Sequence, residues 1–202
     1  MENKKLVIFD FDGVLVDTLI ASYSVFNEVN EGVTLDEFKT LFEGNIIESV
    51  GSKKLIQHSD YFGQYDKQTR ELKVPGILKE TIEKLKDNYT LVIVSSTNTS
   101  SIVKILERNN VLAGFEDILG ADISYNKVEK INAILKKYNK GSEDVVFITD
   151  TSGDIKEGMK CGVKSIAVTW GFHDRETLKR ANPVAIIDDP KELFETIKNV
   201  VK

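Results

Sequence analysis

The chain has 202 residues, of which 41% are hydrophobic and 29% charged, and a net charge of −5. That composition excludes a disordered or membrane-embedded class and leaves room for one full core domain plus a small accessory domain. No block of Lys and Arg forms a nucleic-acid arm, and a net acidic surface repels phosphate backbones, so any phosphorylated ligand needs a local cation.

The first apolar run, residues 6–9 (LVIF), is too short for a signal segment or a membrane span, and the chain reads as cytoplasmic. Its nearly continuous apolar character suits a strand buried on both faces. The segment 18–73 then contains no convincing strand. Its apolar spacing predicts helices over 19–29, 35–41 and 46–56, with turn signals at Gly32 and Gly44. Pro75-Gly76 marks the return to alternation. Runs 91–94, 145–148 and 166–168 predict further buried strands, and 117–121 and 184–187 weaker ones. Between them, Val128, Ile131, Ile134, Leu135 and Tyr138 recur at helical spacing. A helical stretch over 154–161 ends before Gly162, a C-cap signal, and carries Cys161, the single cysteine. One cysteine makes an intramolecular disulfide impossible, and Cys161 reads as a small buried apolar residue. Asp189 and Pro190 open the last helix as N-cap and first helical residue. Strand and helix alternation of this kind predicts an α/β doubly wound parallel sheet, with 1–17 and 74–202 as its core and 18–73 as a small inserted helical domain.

In an open α/β sheet, ligands bind at the carboxyl ends of the strands. Asp10, Phe11, Asp12 and Gly13 follow the first strand; Ser95 and Ser96 follow run 91–94; Thr149, Asp150 and then Asp154 follow run 145–148. Like charges ~4 Å apart repel by roughly 1–4 kcal/mol at effective dielectrics of 80 to 20, so Asp10, Asp12 and Asp150 together call for a cation, a shared proton or both. A few carboxylate oxygens suit Mg²⁺, which keeps waters and accepts phosphate oxygens. The hydroxyls of Ser95 and Ser96 can bind a phosphate oxygen or cap a helix. Asp154 can orient a neighbour or N-cap a helix starting near Ile155. Lys127, opening an amphipathic helix, can neutralise a phosphoryl oxygen and a carboxylate, with Lys130 one turn further as the other candidate.

Together these residues resemble the haloacid dehalogenase-like superfamily, and within it the phosphoglycolate phosphatase-like branch. The first motif stands as Asp10-Phe11-Asp12-Gly13-Val14-Leu15-Val16-Asp17-Thr18, the second as Leu91-Val92-Ile93-Val94-Ser95, the third as Lys127, and the fourth as Ile148-Thr149-Asp150-Thr151-Ser152-Gly153-Asp154. Thr149 stands where the family usually has Gly, and Val128 where this branch commonly has Pro. The resemblance implies a Rossmann-like core with a helical cap and a Mg²⁺-dependent phosphatase. Asp10 would be the nucleophile and Asp12 the acid and base. Asp10, the Asp12 carbonyl and Asp150 would hold metal, with Asp154 in support. Gly13, Ser95, Ser96 and Lys127 would surround the phosphoryl group. The implied substrate is a small phosphorylated metabolite, with no nucleic-acid or membrane partner, and the implied state is a monomer or homodimer.

Two alternatives differ in class. A sugar phosphomutase of the same superfamily places a His soon after its first motif; this chain has only His58 and His173, which read as ordinary surface or loop residues. A catalytically idle domain that binds a phospho-ligand or a protein partner would be expected to have lost Asp10, Asp12, Lys127 or Asp150. Dehalogenase and phosphonatase chemistry is disfavoured because Asp12 is present. Tyr23, Asn27, Glu43 and Asn45 are candidate substrate contacts in the inserted segment. Trp170 and Phe172 read as packing residues.

Overall fold

A computed structural model of the chain describes residues 4–45 and 61–201. Strands β1 (Lys5–Phe9), β2 (Tyr89–Val94), β3 (Asp117–Leu119), β4 (Val145–Thr149), β5 (Lys164–Val168) and β6 (Ala185–Ile187) form one sheet in the order β3-β2-β1-β4-β5-β6. Every pairing is parallel. The chain winds outward from β1 in one direction and from β4 in the other. The order therefore reverses between β1 and β4, and the crevice at their carboxyl ends is the natural ligand site of such a sheet.

The continuous apolar runs are explained by what covers them. Leu6, Val7, Ile8 and Phe9 are all fully buried. Val7 and Phe9 join one core cluster and Leu6 and Ile8 another, as side chains alternating across a pleated strand must. Burying each such side chain contributes about 1.5–3 kcal/mol, so β1 is a firm mount for the residues that follow it.

The described helices are α1 (Leu19–Val29), α2 (Leu35–Thr40), α3 (Tyr61–Gln68), α4 (Gly76–Lys86), α5 (Thr99–Arg108), α6 (Lys127–Tyr138), α7 (Ser152–Lys160), α8 (Arg175–Arg180) and α9 (Leu193–Val200). Helices α4, α5 and α9 cover one face through Leu78, Ile82, Ile102, Ile105, Leu193 and Ile197. Helix α6 covers the other through Ile131 and Ile134, and α7 adds Ile155 against Ala167 and Leu178. The expected caps at Asp189 and Gly162 are present. Asp189 forms a capping box with Glu192 on the 3-10 turn leading into α9, and Gly162 takes a φ of 71° after α7. Cys161 is only partly buried, and its thiol faces the Val128 carbonyl at 3.6 Å.

One cap differs from expectation. Helix α7 starts at Ser152, not near Ile155, and Thr151 is its N-cap, with its hydroxyl accepting from the Asp154 N–H at 3.3 Å. A Thr cap stabilises a helix by about 1 kcal/mol. It also leaves the Asp154 carboxylate free for a neighbour outside the helix.

Between β1 and α4 the described residues are helical or irregular: α1, α2, a 3-10 turn at Leu41–Glu43, and α3. The predicted helix at 46–56, and His58, lie outside the described residues. Phe26 and Phe38 form the apolar centre of the inserted segment together with Phe172 from the loop after β5. The Phe172 ring stands 4.9 Å from that of Phe42 and 6.3 Å from that of Phe38. Aromatic pairs at these spacings add roughly 0.5–1.5 kcal/mol beyond area burial. The segment is thus anchored at the carboxyl edge of the sheet.

Candidate active site

The end of β1 and the end of β4 put Asp10 and Asp150 on either side of the point where strand order reverses. Asp10 is 4% exposed; its Oδ1 accepts from the Phe11 N–H at 2.8 Å, and its Oδ2 lies 2.9 Å from Lys127 Nζ. The same ammonium lies 2.7 Å from Asp154 Oδ2, which also accepts from the Thr149 hydroxyl at 2.8 Å. A lysine in the first turn of a helix opposes the helix dipole; here two buried carboxylates hold it there. Thr149, where a family Gly was expected, uses its hydroxyl to orient Asp154. Lys127 is therefore the lysine that meets the acid cluster. Lys130 turns instead to the carbonyls of Ser95 and Gly120.

The cluster has more negative charge than Lys127 can balance. Burial pushes the Asp10 carboxyl well above the usual range, with Lys127 opposing and Asp154 and Asp150 adding to the rise. Burial likewise pushes Asp150 up to about 8, against the donation from the Phe172 N–H. For Lys127, burial alone would lower the ammonium, but Asp10 and Asp154 reverse this and keep it charged. Asp150 Oδ2 accepts from the Phe172 N–H at 2.7 Å, whereas Asp150 Oδ1 is buried with no hydrogen-bond partner. An orphaned carboxylate oxygen near a second carboxylate, whose one ammonium is shared with Asp154, fits a hard divalent cation. Among the described residues no group of three His, Cys, Asp or Glu side chains is placed to hold a metal ion by itself. Mg²⁺ does not require one, since it binds through one or two carboxylates and keeps several waters. Gly13, at φ 71°, and Gly171 pack so closely on Asp150 that a Cβ at either would run into its carboxylate.

Asp12 lives in different surroundings. Its Oδ1 accepts from the hydroxyls of Thr18 at 2.8 Å and Tyr65 at 2.5 Å. Its Oδ2 accepts from those of Thr97 at 2.8 Å and Ser95 at 3.2 Å. Burial and the nearby Asp12 hold the Tyr65 hydroxyl well above its ordinary range, so it stays a donor. Ser95 was expected at the phosphate; it is fully buried, and its Oγ also accepts from the Thr97 N–H. Ser96 and Thr97 line the open cavity, with Asp10, Asp12, Lys127, Asp150 and Asp154.

The sequence missed Thr97 and Tyr65 as partners of Asp12. Thr97 was legible only as one member of a hydroxyl-rich run, and Tyr65 carries no local signal. Of the candidate contacts in the inserted segment, Asn45 lines the cavity. Tyr23 instead donates to the Val33 carbonyl, Asn27 faces the carbonyls of Asn30 and Val33, and Glu43 offers its own carbonyl to Lys156. Phe172 both packs and lines the cavity, while Trp170 donates to the Val14 carbonyl. His173 corrects the expectation of an ordinary surface or loop residue. It lies in a loop but is 4% exposed; Nδ1 accepts from the Ser152 N–H, and Nε2 meets the Lys39 carbonyl, both at 2.9 Å. It ties the inserted segment to the start of α7.

No described helix is long and apolar enough to cross a membrane. Along the whole chain the sequence is similar to the phosphoglycolate phosphatase of Vibrio parahaemolyticus, at 24% identity over 97% of this chain and 97% of that one. It is also similar to a protein of Dickeya dadantii named probable phosphatase IndB, at 26% identity over 98% and 96% of the two chains. The fold matches the crystal structure of a hydrolase from Pseudomonas syringae with a TM-score of 0.81, at 19% identity over 97% and 99% of the chains. The model of the haloacid dehalogenase-like hydrolases matches residues 7–168, and the chain belongs to that family.

Proposed function

We propose that the chain is a cytoplasmic, Mg²⁺-dependent phosphatase that hydrolyses a small-metabolite phosphomonoester through an aspartyl-phosphate on Asp10. The observation that carries this reading is the site at the strand reversal. Asp10 faces Lys127 at 2.9 Å, and Asp150 presents a buried oxygen without a partner beside it.

The Phe11 N–H fixes one Asp10 oxygen, and the other would attack phosphorus as the bond to the leaving alcohol breaks. Asp12 would deliver a proton to the departing alkoxide. It would then take one from the water that cleaves the aspartyl-phosphate, releasing inorganic phosphate and restoring Asp10. Lys127, together with Ser96, would hold the phosphoryl oxygens, while Ser95 stays on Asp12 and the Gly13 N–H on the Val16 carbonyl, and Asp154 would hold Lys127 in line. Bound between Asp10, the Asp12 carbonyl and Asp150, Mg²⁺ would supply the positive charge that keeps Asp10 ionised and draws in the phosphoryl group. Residues 18–73 act as a helical cap over a core of 1–17 and 74–202, excluding water while the alcohol leaves. The working unit is a monomer or homodimer.

Phosphate release from a panel of small phosphomonoesters tests the reading, run with Mg²⁺ and again with EDTA. Metal-dependent release is expected. Release unaffected by EDTA, or none from any ester, would overturn it.

A further inference from the structure

The lining of the cavity beside Asp10 also takes in Glu157 on α7. Glu157 stands one helical turn beyond Asp154 on the same helix face, about 4.5 Å further along the axis. It is 6% exposed and lines the cavity. Its Oε1 accepts from the Asn45 amide at 2.8 Å, and Asn45 lines the cavity beside it. The backbone around Asn45 is firmly placed. Gly153 lies so close to the carbonyls of Phe42 and Gly44 that a Cβ there would collide with them, and Lys156 Nζ donates to the Glu43 carbonyl at 2.6 Å. The rings of Phe42, Tyr61, Phe62, Tyr125 and Phe172 supply the apolar wall.

The cavity thus has two chemically distinct ends. At one end Lys127 is the cationic side chain, drawn toward Asp10 and Asp154. At the other stands a carboxyl group among aromatic rings, and among the described lining residues no second Lys or Arg accompanies it. A carboxylate on the leaving alcohol would meet the like charge of Glu157 in a buried setting, an arrangement that disfavours binding. A hydroxyl or ammonium would instead donate to Glu157, and an ammonium would gain further attraction from the ring faces.

We propose that Glu157, positioned by Asn45, determines specificity: the enzyme acts on phosphomonoesters whose alcohol presents a hydroxyl or ammonium donor at its far end and discriminates against those ending in a carboxylate. The inference rests on the phosphatase reading above and sharpens it. It sets the chain apart from the substrate in the names of its phosphoglycolate phosphatase relatives.

Three two-carbon esters matched in size isolate the far end: 2-aminoethyl phosphate, 2-hydroxyethyl phosphate and 2-phosphoglycolate. With Mg²⁺, kcat/KM for the first two is expected to exceed that for phosphoglycolate at least tenfold. Glu157→Gln, which keeps an acceptor for Asn45, should narrow that ratio severalfold, mainly through KM. Equal or better turnover of phosphoglycolate by the wild type would overturn the proposal, as would a ratio unchanged in Glu157→Gln. Calorimetric binding of the same esters to Asp10→Asn separates the two readings. Charge-selective binding with no turnover by the wild type would retire the phosphatase and keep the Glu157 selectivity. Turnover with no selectivity would do the reverse.

Discussion

Asp10 and Asp12 stand two residues apart at the end of one strand, yet their surroundings have little in common. Asp10 is set among carboxylates, with Lys127 as its counter-ion, and burial lifts its pKa. Asp12 has no cation on it among its hydrogen bonds and is held by four hydroxyls from Thr18, Tyr65, Ser95 and Thr97. The acid cluster has surplus negative charge that a divalent cation would relieve. The hydroxyl cradle is neutral and can exchange partners without moving charge. In the proposed mechanism two identical side chains would take two roles through their environments, Asp10 attacking beside a metal and Asp12 handing over protons.

The largest effect should come from the acid cluster. Asp10→Asn keeps the shape but removes the proposed nucleophile, and turnover should fall by roughly 10⁴-fold or more. Thermal unfolding should change little or rise, because one of the buried repelling charges is gone. Turnover near the wild-type rate would assign the attack elsewhere. Next in size, Asp150→Asn should raise the Mg²⁺ concentration for half-maximal rate at least tenfold, about 1.4 kcal/mol of metal affinity. A Mg²⁺ titration superimposable on the wild type would remove Asp150 from the metal.

The hydroxyl cradle should respond more gently, because it holds Asp12 by several bonds at once. Tyr65→Phe deletes one donor to a carboxylate, a bond class worth ~1.5–3 kcal/mol. We expect kcat to fall roughly tenfold with KM almost unchanged. A rise in KM at constant kcat would place Tyr65 on the substrate and detach it from Asp12.

The contrast also explains what the sequence could reveal. Strands such as β1 and β4 are legible because burial on both faces demands a continuous apolar run, and a polar residue just past such a run stands out. Asp10, Asp12 and Asp150 were found that way. Lys127 could be separated from Lys130 only by seeing which side chain reaches the carboxylates, since both lie on the inward side of α6. Tyr65 comes from a distant helix and reaches Asp12 through tertiary packing, so nothing in its neighbours announces it. Asp154 looked like a helix cap because Asp often is one; Thr151 took that position, and the Lys127 ion pair took Asp154. Glu157 reads along the chain as one more charged helix residue, and only its burial against Asn45 distinguishes it.

The smallest expected effect concerns that pair of lysines, one turn apart on α6. Lys127 is kept charged by Asp10 and Asp154. Lys130 is 1% exposed and, among the described residues, donates to the Ser95 and Gly120 carbonyls alone. Burial, with repulsion from Lys127, pulls Lys130 down to about 8 from its ordinary 10.5, against weaker attraction from Asp10, Asp154 and Glu157. In the unfolded chain Lys130 keeps its proton to higher pH. Between about pH 8 and 10 Lys130 therefore binds more protons in the unfolded state, and its contribution to stability should rise with pH. Above about pH 10 Tyr61 and Tyr65 should lower stability as pH rises, because they ionise more readily unfolded than in their buried sites. Lys130→Met removes the lysine contribution while preserving most of the buried volume. Urea unfolding at pH 8 and pH 10 should show the wild type gaining about 1–2 kcal/mol relative to the variant over that window. Parallel curves would mean that the two carbonyls hold Lys130 charged as firmly as the carboxylates hold Lys127.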